Sequence, residues 1–453
     1  MKRIVMFACA ACLMIAGGPV SAAGITDVQS SFDEGDPFDF SLKINYEYGT
    51  KSVRLTRESI DGQDVRLANK LKFEETTHLV RFDVAMGLYK DLELAVDLPL
   101  VVSEQVSLGM HPEIPTGGNP YSYISDIDTA AGPTPGALFD VPFTGPDRKG
   151  LGDIGVGLRW APWHYKRDHQ YPSWLIGAMF RIPSASIKKA DNTAVGEGVF
   201  AAEINTAISR RVTPFFEPYF DLHGILKVST SKSLFDEVPG AGDAQTLVKP
   251  GNQMGLKLGA EFIPWEVEAE ERHVAIDMGV GLDYVFEGRE YTELFDALGS
   301  SACRTSDGCW GTTYTRTPKG LQDFKGDTAA EDDAMADYKS QRDNDLFPRT
   351  DGITDVEHYG MYSFWFGLDA QPIKYLALGA RFQLAYVQPH FITFADAGSD
   401  SAADSDVIVT GYNSQKINEY NPKYVEDIDQ VGHRFRTGQA LQWTLLFTMG
   451  GMF

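Results

Sequence analysis

Charged side chains alternate with apolar ones along several stretches of this sequence. Arg81 and Asp83, for example, stand between Val80, Phe82 and Val84. Successive side chains of a β-strand point to opposite faces, so this alternation puts the charges on one face and the apolar groups on the other. A charged face of this kind can attract ions, hold water or form ion pairs with neighbouring strands.

The same pattern identifies a set of charged positions that could line an interior. Acids outnumber bases among them, and an acidic interior admits cations more readily than anions. The charges could instead pair across the interior and fill it, because a narrow barrel can be packed by side chains alone. Glycines on the same face, such as Gly279, fit either open space or relief of crowding, so both interpretations stay open. The candidate lining residues are Arg81, Asp83, Glu93, Asp97, Asp153, Arg159, Arg181, Glu203, Lys257, Glu261, Asp277, Asp283 and Arg381.

Catalytic arrangements find little support in the sequence. None of the nine histidines begins the His-x-Ser-Asn pattern of an outer-membrane phospholipase site. His223, two residues from Asp221, is better explained as a hydrogen-bonded wall residue than as a general base. A protease of the aspartyl type would need an Asp pair and an Asp-His pair at the loop rim. Acids are so abundant there that the sequence does not show such pairs to be absent. We therefore predict that the chain is not an enzyme and that it uses no cofactor.

Metal sites and nucleic-acid binding are also disfavoured. Acid-rich segments at 331–355 and 396–406 could bind calcium, but neither contains an Asp-x-Asp-x-Asp-Gly loop, and a solvated acidic rim explains them more simply. Divalent cations are therefore candidate partners of these loops only. A formal net charge of −23 would repel nucleic acid. Cys303 and Cys309 are predicted to form a disulfide, because the alternative metal site would need further Cys or His nearby.

The elements that carry these residues are alternating strands joined by short and long connections in turn. The chain ends on such a strand, whose apolar face includes Leu441, Trp443 and Phe447. Its last residue, Phe453, resembles the terminal aromatic residue that the assembly machinery of outer-membrane barrels reads. Counting the alternating segments gives twelve strands, an even number as bacterial barrels require. Within 51–58 the apolar residues change parity, which indicates either a bulge in the first strand or an extra hairpin that would make fourteen.

The N-terminus has the features of a secretory signal, with a basic start, an apolar run and an A-x-A-like cleavage site that ends at Ala22 or Ala23. We divide the chain into a signal peptide at 1–22, a periplasmic N-terminal segment at 23–37 and a β-barrel at 38–453. No run of eighteen apolar residues follows Ala22, so only a closed barrel could satisfy the backbone of spanning segments in lipid. The prediction is an all-β, transmembrane, antiparallel up-and-down barrel. Its long extracellular loops are expected at 58–76, 109–149, 185–197, 230–250, 294–357 and 394–435.

A family resemblance rests on several short motifs within about Thr77 to Lys227. These are Leu88-Tyr89-Lys90-Asp91-Leu92-Glu93-Leu94, Leu98-Pro99, Gly150-Leu151-Gly152-Asp153-Ile154 leading into Leu158, and Arg181-Ile182-Pro183. This part of the chain resembles the outer-membrane channel family linked to phenol and aromatic-compound degradation pathways. The resemblance implies a barrel that passes small, often hydrophobic or aromatic molecules. The very long acidic loops depart from the pattern of that family, so the resemblance bears on channel architecture rather than on any one solute.

These observations predict a protein of the outer membrane of a Gram-negative bacterium. The first hypothesis is a channel for passive diffusion or uptake of small solutes of hydrophobic, aromatic or cationic character. The alternative is a closed barrel that serves as a surface scaffold or receptor through its long acidic loops, and an outer-membrane lipase or protease ranks third. The expected partners are the lipid bilayer, lipopolysaccharide, the barrel assembly machinery and the solutes.

Overall fold

The computed structural model describes most of the predicted barrel and parts of its long connections. The described residues are 24–29, 39–61, 64–111, 127–129, 138–164, 170–190, 192–229, 248–267, 270, 272–300, 352–396, 408–410, 416–419 and 426–452. The predicted signal peptide, Cys303, Cys309, residues 331–351 of the acid-rich segment and Phe453 lie outside these residues.

Twelve antiparallel strands form a closed barrel, so the predicted count of twelve is confirmed. Each strand pairs with the next along the chain, and the last pairs with the first, from Ser41 opposite Met452 to Ser52 opposite Leu441. The strands are β1 Phe40–Asp61, β2 Asp64–Tyr89, β3 Leu92–Met110, β4 Ile154–Trp163, β5 Ser173–Ile182, β6 Val199–Ser209, β7 Phe216–Ser229, β8 Gln253–Val267, β9 Arg272–Val285, β10 Tyr359–Ile373, β11 Leu376–Val387 and β12 Ala440–Met452.

Apolar side chains cover the outside of this barrel. Leu158 on β4 and Leu441 on β12 are 47% and 51% exposed, and similar residues recur at alternate positions around the wall, mainly even-numbered on the other strands and odd-numbered on β12. Leaving so much apolar surface in water would be costly, whereas hydrocarbon accepts it. Trp163, Trp265 and Tyr375 lie close to the short turns, where an aromatic girdle at the membrane surface is expected. The outside of the barrel is therefore a lipid-facing surface.

The first hairpin differs from the expectation of a loop at 58–76. β1 runs to Asp61 and β2 starts at Asp64, so these residues extend the barrel wall as paired strands. A bulge lies between Leu55 and Thr56 in the pairing with β2. Val53 and Leu55 change parity because they face inward, where both are fully buried, rather than outward to lipid. A bulge in β1 is present as predicted, but it follows Val53 and Leu55 and does not cause their change of parity, and the alternative of fourteen strands is wrong.

An apolar core lies inside the barrel at the end that carries the long connections. We call it the cap. It joins inward-facing residues of strand ends to residues of the connections that follow β3, β9 and β11. Its buried members are Val53, Leu55, Leu71, Phe73, Leu108, Leu138, Phe139, Val141, Leu294, Ala297, Leu298, Val387, Ile392, Ile428, Phe435 and Ala440. The cap resembles the core of a soluble domain, and it places parts of the loops predicted at 109–149, 294–357 and 394–435 in the barrel mouth.

Short elements support the cap. Helices α1 Phe295–Ser300 and α2 Glu426–Asp429 are six and four residues long. In the part of the chain that is described, no helix has the length and hydrophobicity needed to cross a membrane. The short strands are Ile127–Thr129, Phe139–Val141, Phe143–Thr144, Arg148–Leu151, Gly288–Glu290, Thr354–Val356, Ile408–Thr410, Lys416–Glu419 and Phe435–Thr437.

Candidate functional site: the lumen

The predicted lining residues occupy odd-numbered positions, opposite the lipid-facing ones. Contacts between strands that are not neighbours show which way they point. Arg181 on β5 bonds Asp97 on β3 at 2.7 Å, although β4 lies between them, and Arg381 on β11 bonds Asp277 on β9 at 2.9 Å across β10. Side chains can meet in this way only across the concave inner surface. These four residues therefore face the lumen.

Ion pairs fill one side of the lumen near the short turns. Glu93 is fully buried and accepts hydrogen bonds from the guanidinium of Arg159, one of them at 2.7 Å from Nε. Asp97 pairs with Arg181, and Nε of Arg81 lies 3.5 Å from its other oxygen. Buried charges need such partners because the cost of removing them from water is otherwise several kcal/mol (~3–5 when one partner is lost). Five of the predicted residues thus form two groups, the pair Glu93–Arg159 and the triad Arg81–Asp97–Arg181.

A second network on the opposite wall contains two aromatic residues that the prediction missed. The Tyr219 hydroxyl donates to Asp277 at 2.6 Å and accepts from the Trp365 indole at 3.2 Å, while Arg381 bonds the second oxygen of Asp277. A side chain at Gly279 would place Cβ 2.3 Å from the Trp365 ring, so the glycine accommodates that ring and leaves no open space. The odd positions of Tyr219 and Trp365 were the available signal, but an apolar ring at an odd position is easily assigned to the core.

His223 is held between two acids. Its Nδ1 lies 2.9 Å from Asp221 and its Nε2 lies 2.7 Å from Asp283. Both ring nitrogens are therefore occupied, as expected for a hydrogen-bonded wall residue rather than for a base that awaits a substrate. Lys257 is near enough to act electrostatically on Asp221 and His223.

Three further predicted residues make other contacts, and one of them, Asp83, also lies directly opposite Asp97 of the triad. Asp83 accepts a hydrogen bond from the amide of Asn45 at 2.5 Å, and Asp153, just before β4, accepts one from the Ala185 backbone N–H at 3.0 Å. Glu203 lies on β6 opposite Ile225 of β7. The role of the predicted set in lining a pore stays a prediction.

A short segment that precedes the barrel in sequence lies inside it. Residues 24–29 contact inward-facing groups at the short-turn end: the Gly24 N–H donates to Glu261 at 2.8 Å, the Thr26 and Ser209 hydroxyls are 2.7 Å apart, and the Gln29 N–H donates to Glu93 at 2.7 Å. Glu261 belongs to β8, Ser209 to β6 and Glu93 to β3, so the contacts extend almost halfway round the ring of twelve strands. We call residues 24–29 the strap.

A cavity of about 260 Å³ lies at the other end of the lumen, beneath the cap. Aromatic and acidic groups both contribute to its wall. The aromatic members are Phe73, Tyr291, Phe295 and Tyr359, and the charged members are Glu75, Glu104, Glu197, Glu290, Glu293, Asp296, Lys51 and Lys188.

The charges of this cavity do not balance. Lys51 pairs with Glu293 at 2.8 Å and Lys188 pairs with Glu104 at 2.7 Å, so both lysines are already neutralised. Although burial opposes it, Lys51 holds the pKa of Glu293 below its usual range, whereas burial raises the pKa of Glu290. No ion pair within the described residues joins Glu75 or Glu290 to a base. The cavity therefore carries excess negative charge.

The arrangement can act on solutes through its charge. Across the described residues, no group of three or more His, Cys, Asp or Glu side chains is arranged to hold a metal ion. The strand pairings and the apolar outer surface define a transmembrane β-barrel whose lumen is charged and whose mouth is capped.

Comparisons with known proteins give likeness at the level of shape only. No protein-family model matches the sequence, and no curated protein matches it significantly. Similar solved structures include an outer membrane channel from Pseudomonas putida F1, with 9% identity over 97% of this chain and 100% of that chain and a TM-score of 0.39. A FadL homologue of Pseudomonas aeruginosa has 8% identity over 95% and 96% of the two chains and a TM-score of 0.31. The CymD monoaromatic hydrocarbon channel has 8% identity over 90% and 88% and a TM-score of 0.28. The barrel itself is established by the strand pairings described above.

Proposed function

We propose that the protein is an outer-membrane channel for the passive passage of small solutes. The observation that carries the proposal is the acidic, aromatic-walled cavity at the long-loop end of a closed lipid-facing barrel. Lipid-facing barrels of this kind belong to the outer membrane of Gram-negative bacteria, so the cavity lies on the path from the cell surface into the lumen.

The cavity walls favour solutes that carry a positive charge next to an apolar or aromatic body. Glu75 and Glu290 supply negative charge that no described base neutralises, and acidic linings select cations in channels. The rings of Phe73 and Tyr291 can contact an apolar body, and aromatic faces also attract cations, by about 0.5–2 kcal/mol. A small cationic or aromatic solute therefore fits better than an anion.

The test is conductance in planar bilayers, with reversal potentials measured in a salt gradient. We expect cation selectivity in the native chain and a severalfold lower cation-to-anion permeability ratio in the double variant Glu75→Gln/Glu290→Gln. Glu270→Gln is the matched control, because Glu270 is an exposed carboxylate at the short-turn end, paired with Arg272 at 2.6 Å, and its loss should leave selectivity unchanged. A protein that gave neither conductance nor solute-dependent swelling of proteoliposomes would refute the channel.

The cap supports a second candidate function. A mouth filled by an apolar core is also what a closed barrel would have if it served as a surface scaffold or receptor through its long acidic loops. In that case removal of residues 301–350 would abolish binding to a partner or to cells and leave any conductance intact. A channel without a receptor role would lose no binding upon the same deletion.

A further inference from the structure

Side chains of the strap are buried against the inner wall of the barrel. Thr26 is fully buried and Val28 is 6% exposed. Val28 packs with Ala161, Leu175 and Ala207 on the inner wall. Ile25 packs against these residues and also against Tyr219 and Trp365.

The polar contacts of the strap are equally specific. Its backbone N–H groups at Gly24 and Gln29 bond the carboxylates of Glu261 and Glu93, which stand on strands on opposite sides of β4–β7. Between these two ends, Thr26 bonds Ser209, and Ser209 in turn donates to Glu217 at 2.7 Å. These contacts place the strap against β8, β6 and β3 in turn. The strap thus crosses the short-turn end and obstructs it.

The end of the strap bonded to Glu261 is surrounded by negative charge. Glu217 and Asp277 stand directly opposite Glu261 on the two neighbouring strands, β7 and β9. Arg381 bonds Asp277, but no described base forms an ion pair with Glu261. The two cleavage positions that the sequence allows would leave the mature chain starting at Ala23 or at Gly24. A start at Gly24 puts the new α-ammonium directly on Glu261 and supplies the missing cation.

We propose that the exported chain begins at Gly24, that residues 24–29 plug the short-turn end of the lumen with their α-ammonium paired to Glu261, and that the plug leaves when a solute passes. This inference rests on the proposed channel function. Three hydrogen bonds, the ammonium pair and the apolar packing of Ile25 and Val28 hold this short segment, so its release costs much less than opening the barrel wall, whose strands are joined by continuous ladders.

The position of the plug can be tested by disulfide cross-linking. In a chain with Cys303→Ser and Cys309→Ser, the pair Thr26→Cys/Ser209→Cys should oxidise readily, because the two native hydroxyl oxygens are 2.7 Å apart. The matched control is Thr26→Cys/Thr206→Cys. Thr206 lies on the same strand at an even position, where its hydroxyl accepts a hydrogen bond from the lipid-facing Trp174, so this pair should not cross-link. Failure of the first pair to oxidise, or equal oxidation of both, would overturn the plug.

The gating role is tested on the same variant. Oxidised Thr26→Cys/Ser209→Cys should conduct severalfold less than the reduced protein, and a chain lacking residues 24–29 should conduct at least as well as the reduced one. Equal conductance of the oxidised and reduced forms would overturn gating by the plug. If no form conducts, including the deletion, the channel function fails while the cross-link still reports the position of the strap.

The ion pair is tested by mass spectrometry of the mature N-terminus and by Glu261→Gln. We expect Gly24 as the first residue, and a severalfold higher conductance in Glu261→Gln, which keeps a hydrogen-bond acceptor but loses the charge. A mature chain that begins at any other residue, or a Glu261→Gln variant with native conductance, would refute the ammonium pair.

Discussion

The two ends of the lumen are built on different principles. At the short-turn end, inward-facing acids meet arginines, hydroxyls and the strap, so that Glu93 and Asp277 are almost inaccessible. At the long-loop end, the inner wall turns apolar and forms the cap, and the space below it carries acids in excess of bases. The same closed ring of strands thus contains a packed polar interior at one end, and the cap above a charged cavity at the other.

The difference follows from the surroundings of each end. Along the membrane-spanning part, charged groups inside the barrel are stable only if they find partners, so the lumen is either hydrated or paired. Above the membrane, the long connections can bury apolar side chains against extended strands, and their packing supplies the stability. Perturbing each end should therefore give distinct, separable effects.

The largest effect is expected at Arg148, which ties the cap connections together. Its guanidinium is fully buried, pairs with Asp296 of α1 and donates to the carbonyls of Asn192 and Ala194 at 3.0 and 3.1 Å. Arg148→Ala leaves the buried Asp296 without this partner. We expect the free energy of local opening of the cap to fall by about 4 kcal/mol. The measurement is the rate of limited proteolysis in vesicles.

The control for this change is Arg272→Ala. Arg272 pairs with the exposed Glu270 near a short turn, and such surface pairs contribute about 0–1 kcal/mol. Faster cleavage after Arg148→Ala should stay within the connections at the long-loop end. Cleavage that spread into the strands of the barrel would show that the two ends do not behave independently.

A somewhat smaller effect is expected at Phe435 in the centre of the cap. Its ring is fully buried, 6.3 Å from that of Phe139 and 5.1 Å from the guanidinium of Arg57. Phe435→Ala leaves a cavity and should weaken the cap by about 3 kcal/mol, measured by the same proteolysis. Phe447→Ala, on the lipid-facing side of β12, should not change the opening of the cap. An unchanged rate for Phe435→Ala would mean that the cap does not hold the mouth closed.

The packed end should respond to loss of a single hydroxyl group. Tyr219→Phe removes the donor to Asp277 and leaves the Trp365 indole without its acceptor, which should cost about 1–2 kcal/mol. Urea unfolding in vesicles, followed by tryptophan fluorescence, measures this loss. Tyr375→Phe, at an exposed position beside a short turn, is the control and should be neutral. Increased proteolysis of the cap in Tyr219→Phe would contradict the separation of the two ends.

The sequence predicted the wall of this protein far better than its interior. Strict alternation follows from local strand geometry and from lipid on one side, so the twelve strands and the inward parity of Arg81 or Asp277 could be inferred. The cap could not be inferred, because Val53 and Leu55 pack against residues of connections that lie far away in the sequence. Burial of the strap was equally hidden, since residues 24–29 carry no pattern of their own and gain their partners only from three separate strands.

The smallest expected effect concerns Glu290 in the cavity and its response to pH. Burial raises the pKa of this carboxyl, so it takes up a proton at a higher pH than an ordinary glutamate and is neutral below that point. As pH falls from 8 to 4, the cation selectivity of the channel should therefore begin to decline above the usual glutamate range. Glu290→Gln should remove that early step, by less than about twofold in permeability ratio, and keep the later decline due to other acids. Reversal potentials measured at each pH give both curves, and superimposable curves for the two proteins would mean that Glu290 does not contribute to the field that solutes meet beneath the cap.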